Sequence, residues 1–252
     1  MKSTSSNVWW FLKLVTLFAA GAAFAQSAGS AKALATVDLT GYWVSLVTED
    51  WYSRMKGPEK GDVDGIPATP LAIDAANAWD PVKDASQGDT CKAYGAAAIL
   101  RVPTRLHITW QDGNTLKIET DAGKQTRLFR FGSAANVPPG ERTLQGFSVS
   151  EWYQPREFGV PSPAGTLKVV TTNLKGGYLR GNGVPYGEKA TVTEYFNRTE
   201  ETYGNTYLIV TTIVEDPDYL FGPFVTSSHF RKLPDNGNGW DPSPCESGVT
   251  PP

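Results

Sequence analysis

The chain has 252 residues but only two histidines, two cysteines and two methionines. Structural zinc sites draw three or four ligands from closely spaced Cys and His, and this inventory cannot supply them. No G-x-x-x-x-G-K-[ST] phosphate loop occurs, and no serine sits in a G-x-S-x-G elbow. No metal and no cofactor is therefore expected. Lys/Arg clusters are also missing, which argues against nucleic acid as a partner, because a phosphate backbone needs a basic footprint. Downstream of the first 25 residues no apolar run approaches the roughly 20 residues of a membrane span.

What is present begins with the N-terminus. Lys2 opens a short polar region, Val8 to Phe24 is almost wholly apolar, and Ala23-Phe24-Ala25 has the small-x-small form of a signal-peptidase site. This reads as a secretory signal over residues 1–25, cleaved after Ala25, and a periplasmic or secreted location follows. Gln26 rather than Cys follows the site, so a lipid anchor is not indicated. Loss of Lys2 and Lys13 leaves 21 basic and 26 acidic residues from the original 23 and 26, a net charge of −5. In an oxidising compartment the only two cysteines, Cys91 and Cys245, are expected to form a disulfide.

Composition divides the remainder into a small, polar, flexible lead (26–36), one domain (37–233) and a Pro/Gly/Asp-rich tail (234–252). Within the domain, Arg105–Phe131 reads as a three-stranded meander with turns at Asp112-Gly113 and Ala122-Gly123, where glycine supplies positive φ. Thr40–Leu46 precedes it as a first strand. Five further β-rich runs follow, at Thr143–Tyr153, Thr166–Asn173, Ala190–Asn197, Thr206–Glu215 and Phe224–Lys232. Leu71, Ile73, Ala75, Ala78 and Trp79 recur near helical spacing, so Pro70–Asp80 reads as the one helix, stopped by Pro81; Asp84–Tyr94 reads as loop. About nine strands with little helix imply an all-β, closed antiparallel barrel, with a β-sandwich as the alternative. A monomer or a small homo-oligomer fits either.

Gly41-Tyr42-Trp43 on the first strand matches the G-x-W signature of lipocalin-like barrels, in which a late-strand Arg covers the Trp. Arg231 is the candidate for that cover. The segments TGYWVSLVTEDW, CKAYGAAAILRVPTRLHITWQDGNTLKIETDAGKQTRLFRFG, LKVVTTNLKGGYLRGNGVPYG, TEYF and TIVEDPDYLFGPF resemble a family of largely uncharacterised secreted bacterial lipocalin-like proteins. The resemblance implies fold and location and carries no reaction with it.

Alternation splits each strand into two faces. His107 shares one with Arg105 and Thr109, opposite Leu106, Ile108 and Trp110; His229 shares one with Ser227 and Arg231. His107 and His229 are candidate general acid/bases, because imidazole titrates near neutral pH. Glu49 and Asp50 with Trp51, Tyr52 and Arg54 follow the first strand at one barrel mouth. Tyr178, Arg180, Asn182 and Tyr186 sit on a second glycine-containing loop. Glu151 beside Trp152 is a further candidate base. Eight Trp, ten Tyr and eleven Phe suit a flat, largely apolar ligand: aromatic, terpenoid or lipid-like. The expected function is binding of such a molecule. The alternatives are a cofactor-independent lyase, isomerase or hydrolase using His107, Arg105, Glu49, Asp50 or His229, and an envelope scaffold.

Overall fold

A computed structural model describes residues 29–153, 156–157, 160–161 and 165–247. The proposed signal, 1–25, lies outside the described residues. Nine strands close into a barrel: β1 (Gly41–Leu46), β2 (Arg105–Asp112), β3 (Thr115–Thr120), β4 (Thr126–Phe131), β5 (Phe147–Tyr153), β6 (Thr166–Thr172), β7 (Thr191–Glu200), β8 (Thr206–Glu215) and β9 (Phe224–Lys232). The sandwich alternative is thereby replaced by a closed, lipocalin-like all-β barrel. Around the wall the order is β1-β9-β8-β7-β6-β5-β4-β3-β2.

An odd number of strands cannot close with every neighbour antiparallel, and one pair here runs parallel. It is β4–β5, with Phe129 opposite Ser148 and Phe131 opposite Ser150. A parallel pair cannot be joined by a tight turn. The segment 132–146 accordingly carries the chain back along the barrel before β5 begins. Sequence patterning located both strands but not the direction of their pairing.

Alternation does what the sequence implied. Leu106, Ile108, Ile118, Phe129, Leu167, Val169, Val192, Phe196, Leu208, Val210 and Phe230 point inward and have no accessible surface. A side chain with none borders no water-sized void, so the lumen around these residues is filled. Trp43 closes one end, fully buried, its indole N–H donating to Leu39 O at 3.0 Å. Truncating a side chain so placed costs about 3–5 kcal/mol. The cation over its ring is Lys232, not the expected Arg231: Lys232 Nζ lies 5.4 Å from the ring centre. Pairing register explains this, because Trp43 is opposite Lys232 while Arg231 pairs with Val44 and points outward.

The turns differ from expectation in one respect. Gly123 adopts φ 73°, but Gly113 is not among the positive-φ residues. At Gly113 the turn is tied by Asp112 Oδ1, which accepts from Asn114 N at 2.7 Å.

Two helices cover the mouth. The first spans Pro70–Ala78, capped by Thr69 Oγ1, which accepts from Ala72 N. The second, Pro81–Ser86, takes in the first residues of the stretch expected as loop from Asp84; Asp80 caps it by accepting from Val82 N and Lys83 N. A proline at the first position and an oxygen acceptor before it start both helices, so Pro81 ends one element by beginning the next.

The described parts of both terminal segments are held to the barrel. Ala31 is buried, its N–H donates to Asn114 Oδ1 and its carbonyl accepts from Trp152 Nε1. The C-terminal tail climbs the outside of β1 and β2 as a strap. Trp240 meets the stacked rings of Tyr42 and His107 edge-on, Ser243 N donates to Asp121 O, and the Cys91–Cys245 disulfide fastens the end. Among the described residues no helix is long and apolar enough to cross a membrane.

Candidate functional site

The sequence-designated mouth residues converge only in part. Asp50 follows β1 with φ 50°, a left-handed conformation that an L-residue other than Asn or Asp adopts reluctantly. This bend turns the chain into the short helical segment Tyr52–Lys56 and buries Arg54. Each nitrogen of Arg54 has a partner: Nε donates to Arg101 O at 2.9 Å, Nη2 to Ser45 Oγ at 3.2 Å and Nη1 to Glu49. Arg101, at the end of the one-turn segment Ile99–Arg101, donates to Asp50 Oδ2. Arg180 approaches the same oxygen at 3.9 Å, too far for a hydrogen bond.

Arg180 is buried, and its Nε has no hydrogen-bond partner among the described residues. A short ladder, Gly177–Tyr178 against Pro185–Tyr186, presents it. Gly183 permits that loop: its φ is 89°, and a Cβ there would stand 2.2 Å from Trp79 Cγ. Burial lowers the pKa of Arg54, Arg101 and Arg180 alike, partly offset by neighbouring carboxylates, chiefly Glu49 for Arg54 and Asp50 for the other two. Guanidinium stays charged despite such shifts, so three cations surround this mouth.

They divide it into two clefts. One is lined by all three arginines together with Ala98, Val102, Pro103 and Leu179, and by no carboxylate; it is narrow, with a cavity volume of about 50 Å³. The other lies across Arg101 and Arg180 and carries Glu49, Asp50, Asp62, Asp64 and Ser227, with a cavity volume of about 490 Å³. The first can take a small anionic head group against apolar walls. The second suits neutral or cationic groups.

Other designated residues serve elsewhere. His107 stands outside the barrel wall, stacked on Tyr42 at 4.2 Å between ring centres and 3.4 Å from Glu119. Arg105, on the same face, holds Asp121 at 3.2 Å rather than a ligand. His107, Arg105 and a mouth carboxylate therefore do not converge, because the face opposite Leu106 and Ile108 looks outward. Trp51 is 61% exposed and Tyr52 lines the acidic cleft. Asn182 ties the loop down by donating to Glu59 O and Asp62 O. Tyr186 is core, its hydroxyl unpartnered among the described residues and its pKa driven up by burial. Tyr178 donates to Asp84 at 2.7 Å. Glu151 is a surface partner of Lys168. His229 lies beside Thr48 and Glu49 at the rim.

Arg101 was missed. Its signal was present: a single charge closing the apolar run Ala96-Ala97-Ala98-Ile99-Leu100 is a charge about to be buried. Among the described residues no group of three or more His, Cys, Asp or Glu could hold a metal. Compared with protein-family models, with curated proteins and with solved structures, the chain matches none.

Proposed function

We propose that this protein is a binding protein for a small organic molecule, apolar in body and anionic at one end, taken at the barrel mouth outside the cytoplasm. The observation that carries the reading is Arg180: a buried guanidinium that donates no hydrogen bond among the described residues and lines a cleft with two more arginines and no carboxylate. A buried polar group without a partner is costly, and a carboxylate or sulfonate in the cleft would complete it. The three arginines narrow the expected largely apolar ligand to one with an anionic end, and the filled lumen favours the mouth over the barrel interior. The Cys91–Cys245 disulfide supports an oxidising compartment. The resemblance to secreted lipocalin-like proteins points the same way.

Native mass spectrometry of protein purified from its own envelope tests the reading, followed by calorimetric titration with aromatic and branched aliphatic carboxylates. Retention of an acidic molecule, lost in Arg180→Ala, is expected. Retention of a neutral lipid unaffected by that substitution would overturn it.

A further inference from the structure

Ser227 and His229 are two residues apart on β9, and alternation places both on its outer face at the mouth. Ser227 Oγ lies 3.0 Å from His229 Nε2. On the other side of the ring, Thr48 Oγ1 lies 2.9 Å from Nδ1 and 2.7 Å from Glu49 Oε2. Proton counting orients this chain. An ionised carboxylate only accepts, so the single Thr48 proton goes to Glu49. The Thr48 oxygen then accepts from His229 Nδ1–H. The neutral ring is left with its lone pair on Nε2, facing the Ser227 hydroxyl. Glu49 itself is 3.6 Å from Nδ1 and is held by Arg54 through its second oxygen.

Nucleophile, base and orienting acid thus stand in working order, with Thr48 inserted as a relay. Ser227 and Glu49 line the acidic cleft together with Arg101 and Arg180. We propose that this rim is a second, catalytic site, at which Ser227 cleaves carboxylic esters. The cleft differs from the anion cleft of the binding reading, though Arg101 and Arg180 are common to both. Asp62 and Asp64 on its rim select esters that carry no negative charge.

The chemistry balances without a co-reactant other than water. Ser227 Oγ bonds to the ester carbonyl carbon while its proton passes to His229 Nε2. The tetrahedral oxyanion develops within the cleft, where the charges of Arg101 and Arg180 stabilise it. Collapse breaks the carbon–alkoxide bond, and His229 returns the proton to the leaving alcohol. Water, deprotonated by His229, then attacks the acyl-Ser227 carbonyl. The carboxylate leaves and Ser227 regains its proton. Thr48 acts through His229 and is a positioning residue.

A fluorophosphonate probe and p-nitrophenyl acetate, applied to the full chain with its disulfide intact, test this. A single adduct is expected, mapped to Ser227, with ester turnover above background. Ser227→Ala removes the adduct, and His229→Gln slows turnover by about 10²–10⁴-fold. Thr48→Val is slow whereas Thr48→Ser retains the rate, a split that a merely structural Thr48 would not produce. Surface Ser133→Ala changes nothing. Circular dichroism confirms that each variant is folded. No adduct at Ser227 in folded protein, or unchanged turnover in Ser227→Ala, overturns the assignment. Ligand titration reads the binding cleft separately, so either proposal can fail alone.

Discussion

Arg127 and Glu194 face each other inside the barrel, joined by two hydrogen bonds of 2.8 and 2.6 Å, and neither has meaningful contact with solvent. Thr171 Oγ1 takes a third guanidinium proton at 3.2 Å, and the Phe129 ring lies 4.9 Å from the guanidinium carbon. Breaking such a pair leaves one buried charge unmatched. Glu194→Ala or Arg127→Ala should therefore cost about 3–5 kcal/mol. The double replacement Arg127→Met with Glu194→Leu should fall near neutral, because desolvation of the native pair offsets most of its attraction. Urea unfolding of the three variants checks both statements. Near-additive losses in the double variant would show that the residues do not act as a pair.

The unpartnered Arg180 leads to a binding prediction. A hydrogen bond to a charged group is worth about 1.5–3 kcal/mol, so Arg180→Ala should weaken a carboxylate ligand by about 10- to 100-fold. Arg180→Lys should recover only part, since lysine keeps the charge but loses the planar two-pronged donor. Stability should barely change, or rise, because the wild-type group is buried without its full set of partners. Calorimetry with thermal melts in parallel separates the two effects.

Much of the barrel was legible because its signals are local. Strand alternation, the Asp112-Gly113 turn and Gly41-Tyr42-Trp43 each need only a few neighbours to interpret. Two of the later strands, Thr206–Glu215 and Phe224–Lys232, have the same limits in sequence and structure. The parallel β4–β5 pair was not legible, because it follows from a closure condition on the whole wall rather than from Phe129 or Ser148. Register placed Lys232 and not Arg231 over Trp43, a one-residue difference that patterning cannot resolve. At the mouth, carboxylates and arginines were found by type, but partnership was not. Arg54 has a hydrogen-bond partner at each of its three nitrogens and Arg180 has none among the described residues, and only tertiary placement distinguishes them. His107 stands out in the sequence by its rarity, but rarity says nothing about which face of a strand looks inward.

The strap makes the disulfide testable beyond stability. Cys91 and Cys245 are 154 residues apart, and Trp240 rests on Tyr42 and His107 between β9 and that bond. In the chain-entropy view a loop of this size contributes about 4–5 kcal/mol. Cys91→Ser with Cys245→Ser should lower the unfolding midpoint, and it should also release Trp240 into water with a red shift of its fluorescence. Trp240→Phe serves as the control, because the shift should vanish while the loss of stability from the missing disulfide remains.

Asp84 gives the pH prediction. It is the buried residue of the second mouth helix and accepts from Trp79 Nε1 at 2.9 Å, Tyr178 Oη at 2.7 Å and Lys92 Nζ at 3.0 Å. Burial alone would raise its pKa, but the three donors, led by Tyr178, outweigh it and hold the carboxyl below its ordinary value. In the unfolded chain the same group titrates near 3.9, about the usual value for aspartate. A depressed folded pKa means that the ionised form is favoured by folding, so the contribution is complete above about pH 4 to 5 and fades as pH falls through the folded pKa. Asp84→Asn should therefore destabilise at pH 7 and much less at pH 2 to 3, so that the variant and wild-type curves draw together in acid. The same substitution loosens Tyr178, on the loop that presents Arg180, so ligand affinity should fall at neutral pH although Asp84 lines neither arginine cleft. Stability measured from pH 2 to 7 alongside binding at pH 7 decides it: parallel curves at every pH would mean that Asp84 is held by its shape and not by its charge.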